Sequence, residues 1–434
     1  MSSRKYKRKS PKRKSPKRKS PILKKRSMSV KRKTSRNIVV KHNLTMPRKV
    51  VSHNSTKTAQ EKINEYFFEG GLDKRVNKKE RCCITHPFAK LYVLGDMEGN
   101  INQLYQWFIH KQLINENLDW IADDDTYVIQ CGDQVDSLRF DIMSNVDDAK
   151  NSSKKDIDIA VPMFLEYMNY ISNDHVLSII GNHEWLNVHK HFSYTGKNVN
   201  VAERKLQFSY DGIIGKIFRR RNFIIQFNNC ILSHAGISPI NIDKYNDMLR
   251  SENDDKKQKF NLQSFLKTIN DESSNKANYG PINKASRVFR YIIHGEKHPY
   301  GYDGIIWNRH YFDITLTDNY KGEKIQTPKE LKGFTQIKGH DKGSDIWFCN
   351  NNTNQTQCSK QPRPELSKKL SIITVDTVHA YDHEIVNVFI QFDSESKIDK
   401  VSSETFKCKD MDVPFNIKSV VHKPNFFTHF ISFW

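Results

Sequence analysis

Leu91-Tyr92-Val93-Leu94-Gly95-Asp96-Met97-Glu98-Gly99-Asn100 joins an apolar run, which reads as a buried strand, to a glycine-flanked acidic turn. The turn opens into a segment in which Ile101, Leu104, Tyr105 and Phe108 recur at helical spacing. In α/β folds, ligands collect at the carboxyl ends of strands, so Asp96 and Glu98 are placed where a site would be built. Four further strand-like runs end the same way. Tyr127–Cys131 leads into Gly132-Asp133-Gln134-Val135-Asp136, and Val176–Ile180 into Gly181-Asn182-His183-Glu184. Ile231-Leu232-Ser233 leads into His234-Ala235-Gly236, and Phe334–Lys338 into Gly339-His340.

These strand ends carry oxygen and imidazole donors in the numbers that a pair of divalent ions about 3.5–4 Å apart requires. Asp96 and Glu98 suit a first metal, Asp133 a bridge, and Asn182, His234 and His340 a second. Such ions would activate water and neutralise charge on a phosphoryl group. His183 follows a proposed ligand by one residue. That places it beside a leaving group as a general acid, with Asp136 to orient it and raise its pKa.

The chain of 434 residues is long enough for a large domain with appendages, and its 37% hydrophobic and 11% aromatic content favours a folded body. No apolar run approaches a membrane span and no signal-peptide core opens the chain, so a soluble, intracellular protein is expected, cytoplasmic or nuclear. Seven cysteines, scattered and without CxxC spacing, speak against a disulfide framework or structural zinc and for buried thiols in a reducing compartment.

The net charge of +21 is local. Of 70 Lys and Arg, 21 lie in residues 1–50, which contain no Asp or Glu; the remaining 49 are matched by 49 acidic residues. This segment opens with three copies of Lys-Arg-Lys-Ser-Pro, from Lys7 to Pro21. Residues 1–57 are expected to be a disordered basic tail that binds nucleic acid or another acidic partner, with each Ser-Pro step open to phosphorylation. Residues 58–434 form the expected folded domain, with order beginning near Thr58 to Phe68. Its strand and helix runs alternate, including a helix near Ile157 to Ile171. A polar insertion is expected at about 240–300, helical around Leu262 to Ile269, and an exposed loop at Asn350 to Lys360. Residues 386–434 form an aromatic extension ending in Phe426, Phe427, Phe430, Phe433 and Trp434, expected to pack back onto the body. The abundance of Asn, Lys and Ile suits an AT-rich genome, as in a large DNA virus or a protist.

The series GDMEG, GDQVD, GNHE, SHAG and KGH resembles the calcineurin-like metallophosphoesterases. Its Gly-Asn-His-Glu form is similar to their phosphoprotein-phosphatase branch, including bacterial-type and diadenosine-tetraphosphatase-like members. The resemblance spans roughly residues 90–385. It implies a four-layer α/β/β/α sandwich with a dinuclear site at one edge of the paired sheets, holding two divalent ions, Mn²⁺ first, with Fe, Zn or Mg as alternatives. Gly304–Arg309 resembles that branch's Trp-x-Arg segment, so Arg309 would grip substrate phosphate together with Asn182. The run Thr374-Val375-Asp376 is also family-like.

Two positions depart from the pattern. Glu98 stands where the family has His, which keeps a hard oxygen donor and favours Mn²⁺ or Mg²⁺. Ser137 stands where protein phosphatases place Arg; Arg139 is the nearest substitute for phosphate binding. The expected activity is hydrolysis of phosphomonoesters, with phosphoprotein as the first substrate and a dinucleoside polyphosphate or other nucleotide as the second. The alternative from another class is a catalytically weak binding protein of this fold, tethered to nucleic acid by its tail.

Overall fold

A computed structural model describes residues 57–136, 159–196, 199–252, 260–295, 303–308, 327–340, 346–352, 355–360, 370–375, 378–379 and 384–408. Ser137, Arg139, Arg309, Asp376, the basic tail and the aromatic cluster at 426–434 lie outside the described residues.

The strands are β1 (Cys83–Ile84), β2 (Lys90–Leu94), β3 (Thr126–Gln130), β4 (Val176–Ser178), β5 (Ile224–Phe227), β6 (Cys230–Ser233), β7 (Thr335–Lys338), β8 (Trp347–Asn352), β9 (Gln355–Ser359), β10 (Ile372–Thr374), β11 (Val378–His379), β12 (Glu384–Phe392) and β13 (Ile398–Lys407). They form two mixed sheets. One runs β1-β5-β6-β7-β10-β8-β9, the other β11-β12-β2-β3-β4, with β13 paired to β12.

Residues of both sheets alternate between two apolar environments, as a period-two strand buried on both faces must. Leu91, Val93, Tyr127, Ile129 and Leu177 of one sheet pack with Ile225, Phe227, Leu232 and Ile337 of the other. Their intervening neighbours Leu94, Val128, Val176, Ile224 and Ile231 face the helices. The result is an α/β/β/α sandwich, as the motif series implied.

On one side, helix Ile101–His110 buries Leu104, Tyr105, Trp107 and Phe108, and the Trp107 indole donates to Asn387 Oδ1 of β12 at 3.1 Å. Helix Ala160–Ile171 is apolar over most of its circumference, as suits an element packed on several sides. On the other side, helix Leu262–Asp271 buries Phe265, Leu266 and Ile269. The stretch at 240–300 thus contributes apolar side chains to the core, joined by Phe289, Ile292 and Ile293. Helix Ala59–Phe68 starts at Thr58, whose side chain and that of Glu61 form a capping box.

Two expectations are corrected. In the span Asn350 to Lys360, read as an exposed loop, residues 350–352 and 355–359 belong to the antiparallel strands β8 and β9 at the edge of the seven-stranded sheet. Backbone pairing, together with the β10 ladder beside β8, holds an edge hairpin whose polar composition carries no apolar alternation. Within it Cys349 is disulfide-bonded, and the residue across the ladder is Cys358. The cysteines are therefore not all thiols. Cysteines nine positions apart carry no spacing signature, and only the hairpin register makes them neighbours. Nor are the thiols uniformly buried: Cys131 and Cys230 are, Cys83 is exposed.

Candidate metal centre and active site

The strand register determines what meets at the site. β2, β3 and β4 are parallel, with Leu94 level with Gln130 and Gln130 level with Ser178. β6 and β7 are parallel in the other sheet, with Ser233 level with Lys338. Five turns therefore emerge at the same end of the two packed sheets, carrying Asp96 and Glu98, Asp133 and Asp136, Asn182 and His183, His234, and His340. Glu98, Asp133, Asp136 and His340 have φ of 44°, 51°, 77° and 68°, the left-handed region that non-glycine residues rarely adopt. Such backbone strain gathers where surrounding structure forces a functional geometry.

Asp133, His234 and His340 are buried, and one donor atom from each lies within 4.8 Å of the others. His234 Nδ1 donates to the Cys131 carbonyl at 2.8 Å, which fixes the ring and turns Nε2 inward. Around Nε2 lie Asn182 Oδ1 at 2.8 Å, His340 Nδ1 at 3.0 Å and Asp133 Oδ2 at 3.3 Å. Four atoms bearing lone pairs thus converge, an arrangement that requires a proton or a cation among them. This donor set, carboxylate, amide oxygen and two imidazoles, fits a divalent ion. Asp96 flanks it: its Oδ1 accepts the His340 backbone N–H at 3.2 Å and lies 3.8 Å from His234 Nδ1. Glu98 is buried, and its N–H donates to the Asp133 carbonyl at 3.0 Å.

Burial alone would raise the Asp133 pKa, but His234, His183 and His340 hold it well below the usual carboxylate range. Conversely, burial disfavours the His234 imidazolium, yet Asp133 and Asp96 raise its pKa to about 9. The site is electrostatically prepared for positive charge.

His183 sits at one side. Its backbone N–H donates to Asp133 Oδ1 at 2.9 Å, and its Nδ1 donates to Asp136 Oδ2 at 2.9 Å. Nε2 faces the centre, 3.7 Å from Asp133 Oδ2. Burial lowers its proton affinity, but Asp133, Asp136 and Glu98 prevail and raise the pKa to about 10. Asp136 is itself held by Asn187 Nδ2, 3.0 Å from both oxygens, and by the Arg204 guanidinium at 2.8 Å. Arg204, only 2% exposed, has no sequence signal that separates it from a surface arginine. Asn187 had one: it lies one helical turn after His183.

Glu184 is the largest omission of the sequence reading. Its carboxylate accepts from Gly181 N–H at 2.7 Å, Asp133 N–H at 2.9 Å and Gln134 N–H at 2.6 Å, tying the β3 turn to the β4 turn. The glycines on either side serve the same close approach. A Cβ on Gly181 would stand 2.3 Å from Asp133 Oδ1, and one on Gly132, at φ +95°, would stand 2.8 Å from His234 Nδ1. Glu184→Ala would orphan three buried donors, so a loss of about 3–5 kcal/mol in unfolding free energy is expected. Urea melts of the metal-free protein check this, and a change below about 1 kcal/mol would contradict the brace.

Buried Asp, Asn and His at the carboxyl ends of strands from two packed sheets thus form a candidate divalent-metal centre. No family model matches the chain. It is 27% identical over 273 residues to Shewanella-like protein phosphatase 1 of Plasmodium berghei (strain Anka), covering 54% of this chain and 69% of that protein. Similar solved structures include a cold-active protein-tyrosine phosphatase of a psychrophilic Shewanella species, at 16% identity, TM-score 0.47, and 77% and 84% coverage of this chain and that one. Another is a protein serine/threonine phosphatase from Saccharomyces cerevisiae, at 11% identity, TM-score 0.43, and 81% and 90% coverage. The Plasmodium berghei relative is named a protein phosphatase, in line with the phosphoprotein-phosphatase branch that the motif series resembles.

Proposed function

We infer that the chain is a metal-dependent protein serine/threonine phosphatase, with two divalent ions, Mn²⁺ foremost, held by Asp96, Glu98, Asp133, Asn182, His234 and His340. The observation that carries this reading is the convergence of Asp133, Asn182, His234 and His340 around one point beside His183. Bound ions would supply Lewis acidity and an activated water for attack on phosphorus. The chain's own residues do the rest. Asn182, at the start of its helix, orients a phosphate oxygen. Asp136, braced by Asn187 and Arg204, holds His183 so that Nε2 delivers a proton to the departing seryl or threonyl oxygen. Arg309 and Arg139 are assigned to the remaining phosphate oxygens.

Among the described residues, no helix is long and apolar enough to cross a membrane. The basic segment 1–50 is assigned as a tether to nucleic acid or another polyanion inside the cell. Its deletion should abolish binding to duplex DNA at about 0.15 M salt, and unchanged binding would remove that role.

The function is tested with 4-nitrophenyl phosphate and a phosphoserine peptide in separate Mn²⁺, Mg²⁺, Zn²⁺ and metal-free samples. Turnover of both, highest with Mn²⁺ and absent without metal, is expected. A folded, metal-loaded protein that hydrolyses neither would overturn the reading.

A further inference from the structure

A cleft of about 540 Å³ opens beside the site, lined by His189, His191, Ile282, Arg290, Tyr291 and His294 among others. Four of these, His189, His191, Ile282 and His294, also line a small neighbouring pocket that reaches Asn182 and Trp307. Trp307 in turn stands edge-on to the ligand candidate His340, with ring centroids 5.9 Å apart. The cleft therefore borders the candidate metal centre rather than lying elsewhere on the surface.

Arg290 brings a permanent positive charge to the lining of the cleft. No Asp or Glu lines it among the described residues. Arg290 Nε is buried without a hydrogen-bond partner among the described residues, and its guanidinium lies over Tyr291, 5.5 Å from the ring centroid. Tyr291 is 37% exposed and also lies under the Arg287 guanidinium at 6.0 Å. Arg290 and Tyr291 belong to the segment Phe289–His294, a π-helical turn, a conformation that is uncommon and concentrated at functional sites.

We propose that this cleft is a subsite for an acidic side chain flanking the phosphorylated residue of a peptide substrate, with Arg290 as its principal contact. The proposal rests on the protein-phosphatase reading of the neighbouring site. Distance narrows it further. Helix Asn182–Val188 begins at the phosphate end and delivers His189 to the cleft. Seven helical residues advance about 10 Å, which an extended peptide spans in about three residues. The preferred acid is therefore about three positions from the phosphoserine.

The test compares two phosphoserine peptides that differ only in Asp or Asn three positions to either side of the phosphoserine. For the wild-type, Mn²⁺-loaded full chain, kcat/KM should favour the Asp peptide about tenfold, through KM, as one partly exposed charge-assisted contact provides. Arg290→Gln should bring the ratio to within about twofold, while Arg290→Lys, which keeps the charge without the fork, retains an intermediate preference. A ratio near one in the wild type, or a ratio unmoved by Arg290→Gln, overturns the subsite. Fluorescence anisotropy of the same labelled peptides decides the subsite independently of turnover. If 4-nitrophenyl phosphate is hydrolysed and neither peptide is, the protein-substrate reading fails, and an Asp preference in binding would still establish the cleft.

Discussion

Asp133→Asn is expected to eliminate metal-dependent turnover and to lower metal affinity by more than about 100-fold, the upper range for removing an outer-shell partner alone. The carboxylate lies against three imidazoles, whose influence keeps it ionised despite full burial. An amide has the same shape but no charge, so the attraction that offsets the removal of an ion from water is lost. The backbone should survive, because the Asp133 N–H still bonds Glu184 and its carbonyl still accepts from Met97 and Glu98. Chelator should therefore lower the melting temperature of the wild-type chain and leave that of the variant nearly unchanged, since only the wild type has bound metal to lose. Isothermal titration with Mn²⁺ provides the direct measurement. A variant that binds the ion as the wild type does would remove Asp133 from the ligand set.

His183→Asn should lower kcat by roughly 10²–10⁴ on a phosphoserine peptide, while leaving metal content intact. The size of the loss should depend on the leaving group. An alkoxide from serine needs a proton as the bond to phosphorus breaks, whereas 4-nitrophenolate departs without one, so the aryl phosphate should lose far less. Equal losses on the two substrates would argue that His183 holds the site together rather than delivering a proton. Asp136→Asn should reproduce part of the effect through misorientation of the ring, since Asp136 accepts from His183 Nδ1 while Asn187 and Arg204 hold it from behind.

The parts of this site that could be read in the chain share one property: each is encoded locally. An apolar run followed within a few residues by Gly-Asp, Gly-Asn-His or Gly-His specifies a strand end with a donor on it, whatever the rest of the fold does. The continuous apolar runs at 91–94 and 127–129 likewise read as buried strands, which the packing of the two sheets bears out. Arg204 and Glu184 were not legible in this way. Arg204 reaches Asp136 across 68 residues of chain, and Glu184 reaches the β3 turn across 50 or more. A buried arginine and an exposed one are the same letter until packing removes the water. The same holds for Cys349, which the hairpin register sets level with Cys358, and for the β8–β9 pair, whose polar sequence carries no strand alternation.

By itself, then, the sequence determined the α/β alternation, the order of the five donor-bearing turns, and the concentration of positive charge in residues 1–50. Those follow from periodicity, turn chemistry and composition, which need no partner distant in the chain. Tertiary structure decided that the turns of two different sheets meet, that Asp136 is clamped by Asn187 and Arg204, and that Arg290 and three histidines line one cleft. Those follow from strand register and sheet packing, which bring together side chains far apart along the chain and surround them with a low-dielectric interior where their charges act on one another.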